Sequence, residues 1–318
     1  MDHSQHFSYK YIFGLKGYFI GLILTLIWVN TLADTIEQKQ MNIATMQAQT
    51  WEEILRKYAS SQLIQEQYDT FSNNQSPTIA AEVIKVIPIQ ENYEKLVDIR
   101  EQKHPRISMM DDNPSKKPFE SPDYNAGCPS SSKMRMRIFN SLKKMLIQLD
   151  KLAKDFGYKP GQIEIKIFEG VRDLKTQTMI FENKANQIRK NNPTWNEEQI
   201  EKETAKWVSP VKNNIPVHST GAAIDIRLWD KTTSSFLDMG PFGVFTPNPI
   251  APTFSENITY QQKLNRLFLL IAATESGLVN YSYEYWHFSW GDRYAAYWLE
   301  KVPSQRKALY GPAENLSY

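Results

Sequence analysis

His218 and Asp225 close the two ends of the segment HSTGAAID, and further along the chain the segment EYWH sets Glu284 three residues before His287. Imidazole nitrogen and carboxylate oxygen together form a donor set that suits zinc. Three protein ligands with a fourth position left open mark a catalytic rather than a structural zinc site. With His218, Asp225 and His287 as ligands, two neutral imidazoles and one carboxylate leave residual positive charge, and zinc can lower the pKa of its water to about 7. Glu284 could accept that proton and pass it to a departing amine. A tetrahedral intermediate needs a cation or donors for its oxyanion, and Arg172, in Glu169-Gly170-Val171-Arg172 at the end of a strand, is the candidate.

Each part has a plainer reading when taken alone. A lone Glu-x-x-His arises by chance, a lone His218 would be a hydrogen-bonded loop histidine, and a lone Arg172 would belong to a surface ion pair. Their joint presence argues for a site. Cys128 is the only cysteine, so the chain cannot form an internal disulfide. With no histidine near it and Pro-Ser-Ser-Ser after it, Cys128 reads as a loop thiol rather than a nucleophile.

The elements that must position these groups follow from periodicity. Ile163, Ile165 and Ile167 alternate with Glu164, Lys166 and Phe168, which describes a strand with one face on the core. Ile224, Ile226 and Leu228 mark a second strand and turn Asp225 to its other face, presented rather than buried. Gly221 supplies the backbone freedom for a bend that returns His218 beside Asp225. On a regular strand residues 284 and 287 would face opposite ways, so a bulge or local turn is expected between them. Helices are expected over residues 50–64, where Thr50 and Glu53 match a capping box, and over residues 132–156, closed by Gly157. Two more are expected, one from Thr194, with Glu197 completing its box and Trp207 near its end, and one over residues 260–275, closed by Gly277. Residues 281–290 read as a last strand and residues 104–132 as a long surface loop. Without strict βαβ repetition the fold class is α+β, a mostly antiparallel central sheet with flanking helices.

With 41% hydrophobic residues the chain can bury a full-sized core. Its formal net charge of +2 gives no drive toward nucleic acid or an anionic membrane. Lys10 and Lys16, an apolar run over residues 18–29 and Thr31-Leu32-Ala33 have the order of a secretory signal. That run is shorter than the ~20 apolar residues a bilayer span needs, which favours cleavage over anchoring.

HSTGAAID matches the His-x-x-Gly-x-Ala-x-Asp pattern of the VanX/VanY-type zinc D,D-peptidases, and EYWH matches their Glu-x-Trp-His. HFSWGDRYAA, the Asp238-Met239-Gly240 segment and Glu-Gly-x-Arg at 169–172 resemble the VanX-type D-alanyl-D-alanine dipeptidases in particular, over roughly residues 90–302. The resemblance implies one zinc ion on His218, Asp225 and His287, a base at Glu284, transition-state support from Arg172, and cleavage of a small D-amino-acid peptide, typically D-Ala-D-Ala. Together with the leader and the helical stretch that follows it, this divides the chain into a signal (1–33), a helical N-terminal extension (34–86) of unstated role, a single peptidase domain (87–302) and a C-terminal tail (303–318). The leader implies an exported protein of the periplasm or cell envelope, without stable membrane insertion once the signal is removed. Three departures stand out. Pro216-Val217 precede His218 where the dipeptidases show Ser or Thr, and Asp173 follows Arg172 where Pro is common. Gly243 falls where the family often has an acid for the substrate's free ammonium, so another acid such as Asp238 would have to serve. Two rivals follow, a D,D-carboxypeptidase trimming peptidoglycan stem peptides and a non-catalytic muropeptide-binding protein.

Overall fold

Period-two burial runs the whole length of Ile163–Glu169, with Ile163, Ile165 and Ile167 against the core. The structure, a computed structural model, describes residues 49–110, 130–206, 208–242 and 249–315. Its first elements are α1 (Trp51–Tyr58), α2 (Gln62–Ser72), α3 (Glu82–Lys85), β1 (Leu96–Asp98), α4 (Ile99–Gln102), β2 (Ile107–Met109) and β3 (Lys133–Arg135). Next come α5 (Met136–Leu152), β4 (Ile163–Glu169), α6 (Leu174–Asn191), α7 (Glu197–Thr204), β5 (Ala223–Asp230) and β6 (Ser235–Phe236). The last are α8 (Tyr260–Thr274), β7 (Val279–Asn280), β8 (His287–Ser289) and α9 (Arg293–Leu299).

The main sheet runs β2-β4-β5-β8-β7, with β6 also on β5, and β1 pairs with β3 in a separate ribbon. The class is α+β, but the expected mostly antiparallel sheet is corrected to a mixed one, because β2 lies parallel to β4. The connection between these two strands carries α5, and a helix crossing back over the sheet returns the chain in the same direction. β2 also replaces part of the loop expected over residues 104–132.

One sheet face carries Ile165, Ile167, Ile224, Ile226 and Leu228 into a single hydrophobic cluster with Ile138, Leu142 and Met145 of α5 and Leu267, Phe268 and Ile271 of α8. Trp51, Ile54 and Leu55 of α1 belong to the same cluster. Trp51 is fully buried, meets Phe254 edge-on at 5.5 Å and donates from Nε1 to the Ser255 carbonyl at 2.8 Å. Truncation of such a residue to Ala costs about 3–5 kcal/mol.

The Thr50–Glu53 capping box forms as expected, but the helix stops at Tyr58 and a new one starts at Gln62. The break falls at Ala59 and Ser61, whose backbones are both extended. The helix expected from Ser132 begins at Met136, after β3, and its Gly157 terminus is left-handed at φ 83°. The helix expected from Thr194 is instead capped by Asn196, whose box partner is Gln199. Residues 281–290 are no continuous strand but a turn followed by β8. Helix α6, with Asp173 as its cap, has no counterpart among the sequence expectations. Among the described residues no helix is long and apolar enough to cross a membrane. The leader, Cys128, Trp207 and Gly243 lie outside the described residues.

Candidate active site

Strand register aligns the site. Asp225 of β5 pairs with His287 of β8 on one side and with Glu169 of β4 on the other. Simple alternation would send Glu169 into the core behind Ile163, Ile165 and Ile167. Between Ile167↔Ile226 and Glu169↔Asp225, however, β4 advances two residues while β5 advances one. This bulge re-aims Glu169 to the face of Asp225.

His218 reaches the row from a short 3-10 turn, Val217–Thr220, that ends in Gly221 at φ 71°. The expected bend is therefore present. A Cβ on Gly221 would also come within 2.8 Å of Leu96 Cδ2. Gly170 is required for a different reason, since a Cβ there would lie 2.2 Å from the Lys133 carbonyl oxygen. The close approach leaves the Gly170 carbonyl facing His218 Nδ1 at 2.9 Å. That carbonyl can only accept, so Nδ1 of His218 carries the proton and Nε2 presents a lone pair.

Nε2 of His218 lies 3.1 Å from His287 Nδ1 and 3.4 Å from Asp225 Oδ1, and His287 Nδ1 lies 3.0 Å from the same oxygen. All three residues are buried, so Asp225 is not presented in the open manner its strand pattern suggested; β5 is a central strand covered on both faces. One ligand atom from each residue falls within 4.8 Å of the others. With His218 protonated on Nδ1, two imidazole nitrogens and a carboxylate oxygen converge where a divalent cation satisfies all three at once. Nε2 of His287 has no hydrogen-bond partner among the described residues, which fits a ring oriented by its other nitrogen. The donor set therefore fits zinc.

Glu284 stands on the turn between β7 and β8. Its N–H donates to the Tyr281 carbonyl at 2.8 Å, and its own carbonyl accepts from His287 N–H at 3.1 Å. This is the local turn the odd spacing required, and it puts Glu284 Oε2 3.9 Å from His287 Nδ1. The side chain is 35% exposed at the cleft mouth. Burial of the surrounding wall raises the Glu284 carboxyl pKa, with Asp225 adding to the rise and His287, His218 and Arg172 opposing it. The Asp225 carboxyl, despite burial, is held well below the usual range by the two histidines.

Arg172 is buried and fully engaged. Its Nε donates to Glu169 Oε1 at 2.9 Å, Nη2 bonds Glu169 Oε2, and Nη1 donates to Gln177 Oε1 at 2.9 Å. Desolvation works against its charge, but Glu169 outweighs it and the net pKa is raised. Arg172 shares a cleft with His218, Asp225, Glu284 and His287, so every sequence-chosen site residue opens onto one space. Four contributors were not chosen from sequence. Glu169 is aimed by a bulge that no local pattern announces. Gln177 and Ile180 sit on the unrecognised α6, where Asp173 was an available capping signal. Ile79 enters the lining from the N-terminal helical region. Asp238 is not in the lining; its carboxylate accepts from Gly240 N–H and Gln262 Nε2 at 3.0 Å each. A larger hollow between α6 and α7 holds no metal-ligating cluster among the described residues, so chemistry rather than size picks out the site.

Residues 159–305 match the peptidase M15 family, described as D-ala-D-ala dipeptidase. No curated protein matches the chain. Two solved structures are similar at a TM-score of 0.30. One is a zinc-bound point mutant of the vancomycin resistance D,D-pentapeptidase VanY from a VanB-type cassette, 14% identical over 50% of this chain and 72% of that one. The other is VanYB in complex with D-alanine-D-alanine, 16% identical over 50% of this chain and 71% of that one. The family span encloses the whole His218, Asp225 and His287 cluster together with Glu284, so over residues 159–305 the chain is similar to the D-ala-D-ala dipeptidases and carries the donor set of a zinc metallopeptidase.

Proposed function

We propose that the chain is a zinc-dependent D,D-dipeptidase that hydrolyses D-Ala-D-Ala or a closely related D-amino-acid dipeptide. His218 Nε2, Asp225 and His287 Nδ1 hold one zinc ion per chain. When bound, zinc supplies Lewis acidity that polarises the scissile carbonyl and makes water acidic near neutral pH. Glu284 takes the proton of the attacking water and delivers it to the departing amine, a role its raised pKa suits. Arg172, locked by Glu169 and Gln177, offers N–H donors and positive charge to the oxyanion that develops on the carbonyl. Because Glu169 and Gln177 fix the guanidinium beforehand, little reorganisation accompanies the reaction.

What carries the dipeptide reading is the family match over residues 159–305, described as D-ala-D-ala dipeptidase, which encloses Arg172, His218, Asp225, Glu284 and His287. The D,D-carboxypeptidase is the second reading, favoured by the acids of the described lining. These are Asp225 and Glu284, both engaged in the catalytic corner, which leaves a free dipeptide's ammonium without a further acid there. Glu284 argues against a binding protein, which has no need of a general base. Export to the periplasm or cell envelope on the leader of residues 1–33 belongs to the same proposal; N-terminal sequencing of the mature protein would test it.

The deciding experiment incubates the zinc protein with D-Ala-D-Ala and, separately, with a stem pentapeptide, following D-Ala release. Cleavage of the dipeptide is expected. Cleavage of the pentapeptide alone would establish the carboxypeptidase instead, and inertness toward both would favour the binding protein.

A further inference from the structure

The family span begins at residue 159, yet one wall of the catalytic cleft is Ile79. Ile79 stands beside Glu284, Trp286 and His287 in the lining and packs onto the cluster of Ile84, Tyr281 and Tyr294. The segment that carries it, residues 76–81, reads Ser-Pro-Thr-Ile-Ala-Ala and contains no charge. It is tied to the turn that bears Glu284. Tyr283 Oη donates to the Ser76 carbonyl at 2.9 Å, and the Tyr283 ring meets Phe71 of α2 edge-on at 5.5 Å. One turn of α2 earlier, Gln67 Nε2 donates to the Asn280 carbonyl at 2.7 Å. Asn280 Nδ2 in turn donates to the His287 carbonyl at 3.0 Å. The wall is thus fastened at two points, Asn280 and Tyr283, to the turn that carries Glu284 rather than laid loosely over the cleft.

We propose that Ile79 is a specificity-determining residue, and that the N-terminal helical region serves to set the size of the side chain accepted next to the scissile bond. A neutral, apolar wall has no hydrogen bond or charge to offer, so the substrate group that meets it is an alkyl side chain, with the methyl of D-alanine as the preferred fit. This inference rests on the D,D-peptidase reading above. A hydrophobic pocket discriminates one methylene by about 10- to 200-fold in kcat/KM, which sets the scale of the effect.

The test compares zinc-loaded wild type, Ile79→Ala and Ile79→Trp on two dipeptide series, D-Xaa-D-Ala and D-Ala-D-Xaa, with Xaa as Ala, Val or Phe. Zinc content and thermal midpoint are measured on each protein. In one of the two series, Ile79→Ala should raise the kcat/KM of the Phe member relative to D-Ala-D-Ala by about tenfold or more, and Ile79→Trp should shift the ratio the opposite way. The other series identifies the substrate residue that does not face the wall. Wild-type selectivity retained in both series by both variants, with zinc intact, would overturn the role of Ile79. Should wild type cleave only pentapeptides, the dipeptidase reading fails by itself, and the same ratios are read on pentapeptides varied at the last two residues. Inertness of wild type toward every peptide overturns both.

Discussion

Arg135 and Asp225 are both buried charges tied to the turn that carries His218, yet their surroundings are completed to different degrees. Around Arg135, Nε donates to the Thr220 carbonyl at 2.8 Å, Nη1 to the Glu94 carbonyl at 2.7 Å, and Nη2 to the Gly311 carbonyl at 3.2 Å. Glu91 takes both terminal nitrogens at 3.2 Å, and the Tyr310 ring lies 4.6 Å below the guanidinium. Around Asp225 two imidazole nitrogens crowd one carboxylate oxygen, and His287 Nε2 has no partner among the described residues. Protein groups alone close the first cluster; in the second, three ligand atoms face one another within 4.8 Å, where a cation can satisfy all three. Buried polar groups are nearly always satisfied, so incompleteness of this kind separates a site from a strut.

The sharpest way to break the comparison is to remove Glu284, which belongs to the open cluster but is no metal ligand in the proposed arrangement. Glu284→Ala should lower kcat by about 10²- to 10⁴-fold while metal analysis still finds about one zinc per chain. Asp225→Ala should do the reverse in kind, abolishing zinc retention first. Activity surviving in Glu284→Ala would remove it from the role of base.

Arg135→Met probes the closed cluster. It leaves Glu91 without its cation, and loss of one partner from a buried pair costs about 3–5 kcal/mol. Because Glu91 keeps 18% of its side-chain exposure, the lower end of about 3 kcal/mol is expected in urea unfolding. Folded Arg135→Met should retain zinc. If instead zinc affinity falls as steeply as in Asp225→Ala, the two clusters act as one unit and the contrast fails.

Arg172 joins the two kinds, being satisfied by Glu169 and Gln177 and also facing the cleft. Arg172→Ala should lower kcat by about 10²- to 10³-fold with zinc content unchanged. An effect on thermal stability alone, with kcat intact, would return Arg172 to the structural class.

Much of the site was legible because zinc chemistry needs particular side chains, and those leave marks at fixed spacing. His218, Gly221, Asp225, Glu284 and His287 were found this way, and even the turn before His287 followed from an odd spacing that a strand cannot satisfy. Burial was harder to see. Alternation told which way Asp225 points but not that the groups around it, His218 among them, bury it. Glu169 was hidden because a bulge reverses the alternation that sequence reading relies on, and β2 because three residues are too few to show a period. Ile79 was hidden for a more general reason: an apolar wall contributed from a distant segment has no chemical signature, only a place in the folded chain.

The smallest expected effect concerns pH. In the metal-free protein, burial pushes the His218 pKa down, but Asp225 outweighs it through its charge and hydrogen bond, and the net shift is upward from 6.5. A pKa higher in the folded than in the unfolded chain contributes stability that is complete below the unfolded value and lost as pH rises through the folded one. The metal-free protein should therefore lose this contribution on going from about pH 6 to pH 8. Zinc requires the neutral ring, so its binding expels the same proton and strengthens as pH rises, by up to about 1.4 kcal/mol per pH unit for one proton. The difference in thermal midpoint between zinc-loaded and chelator-treated protein should accordingly widen across that range. A constant or narrowing gap would mean that His218 does not hold a proton against Asp225 when the metal is removed, and that the open cluster closes itself in some other way.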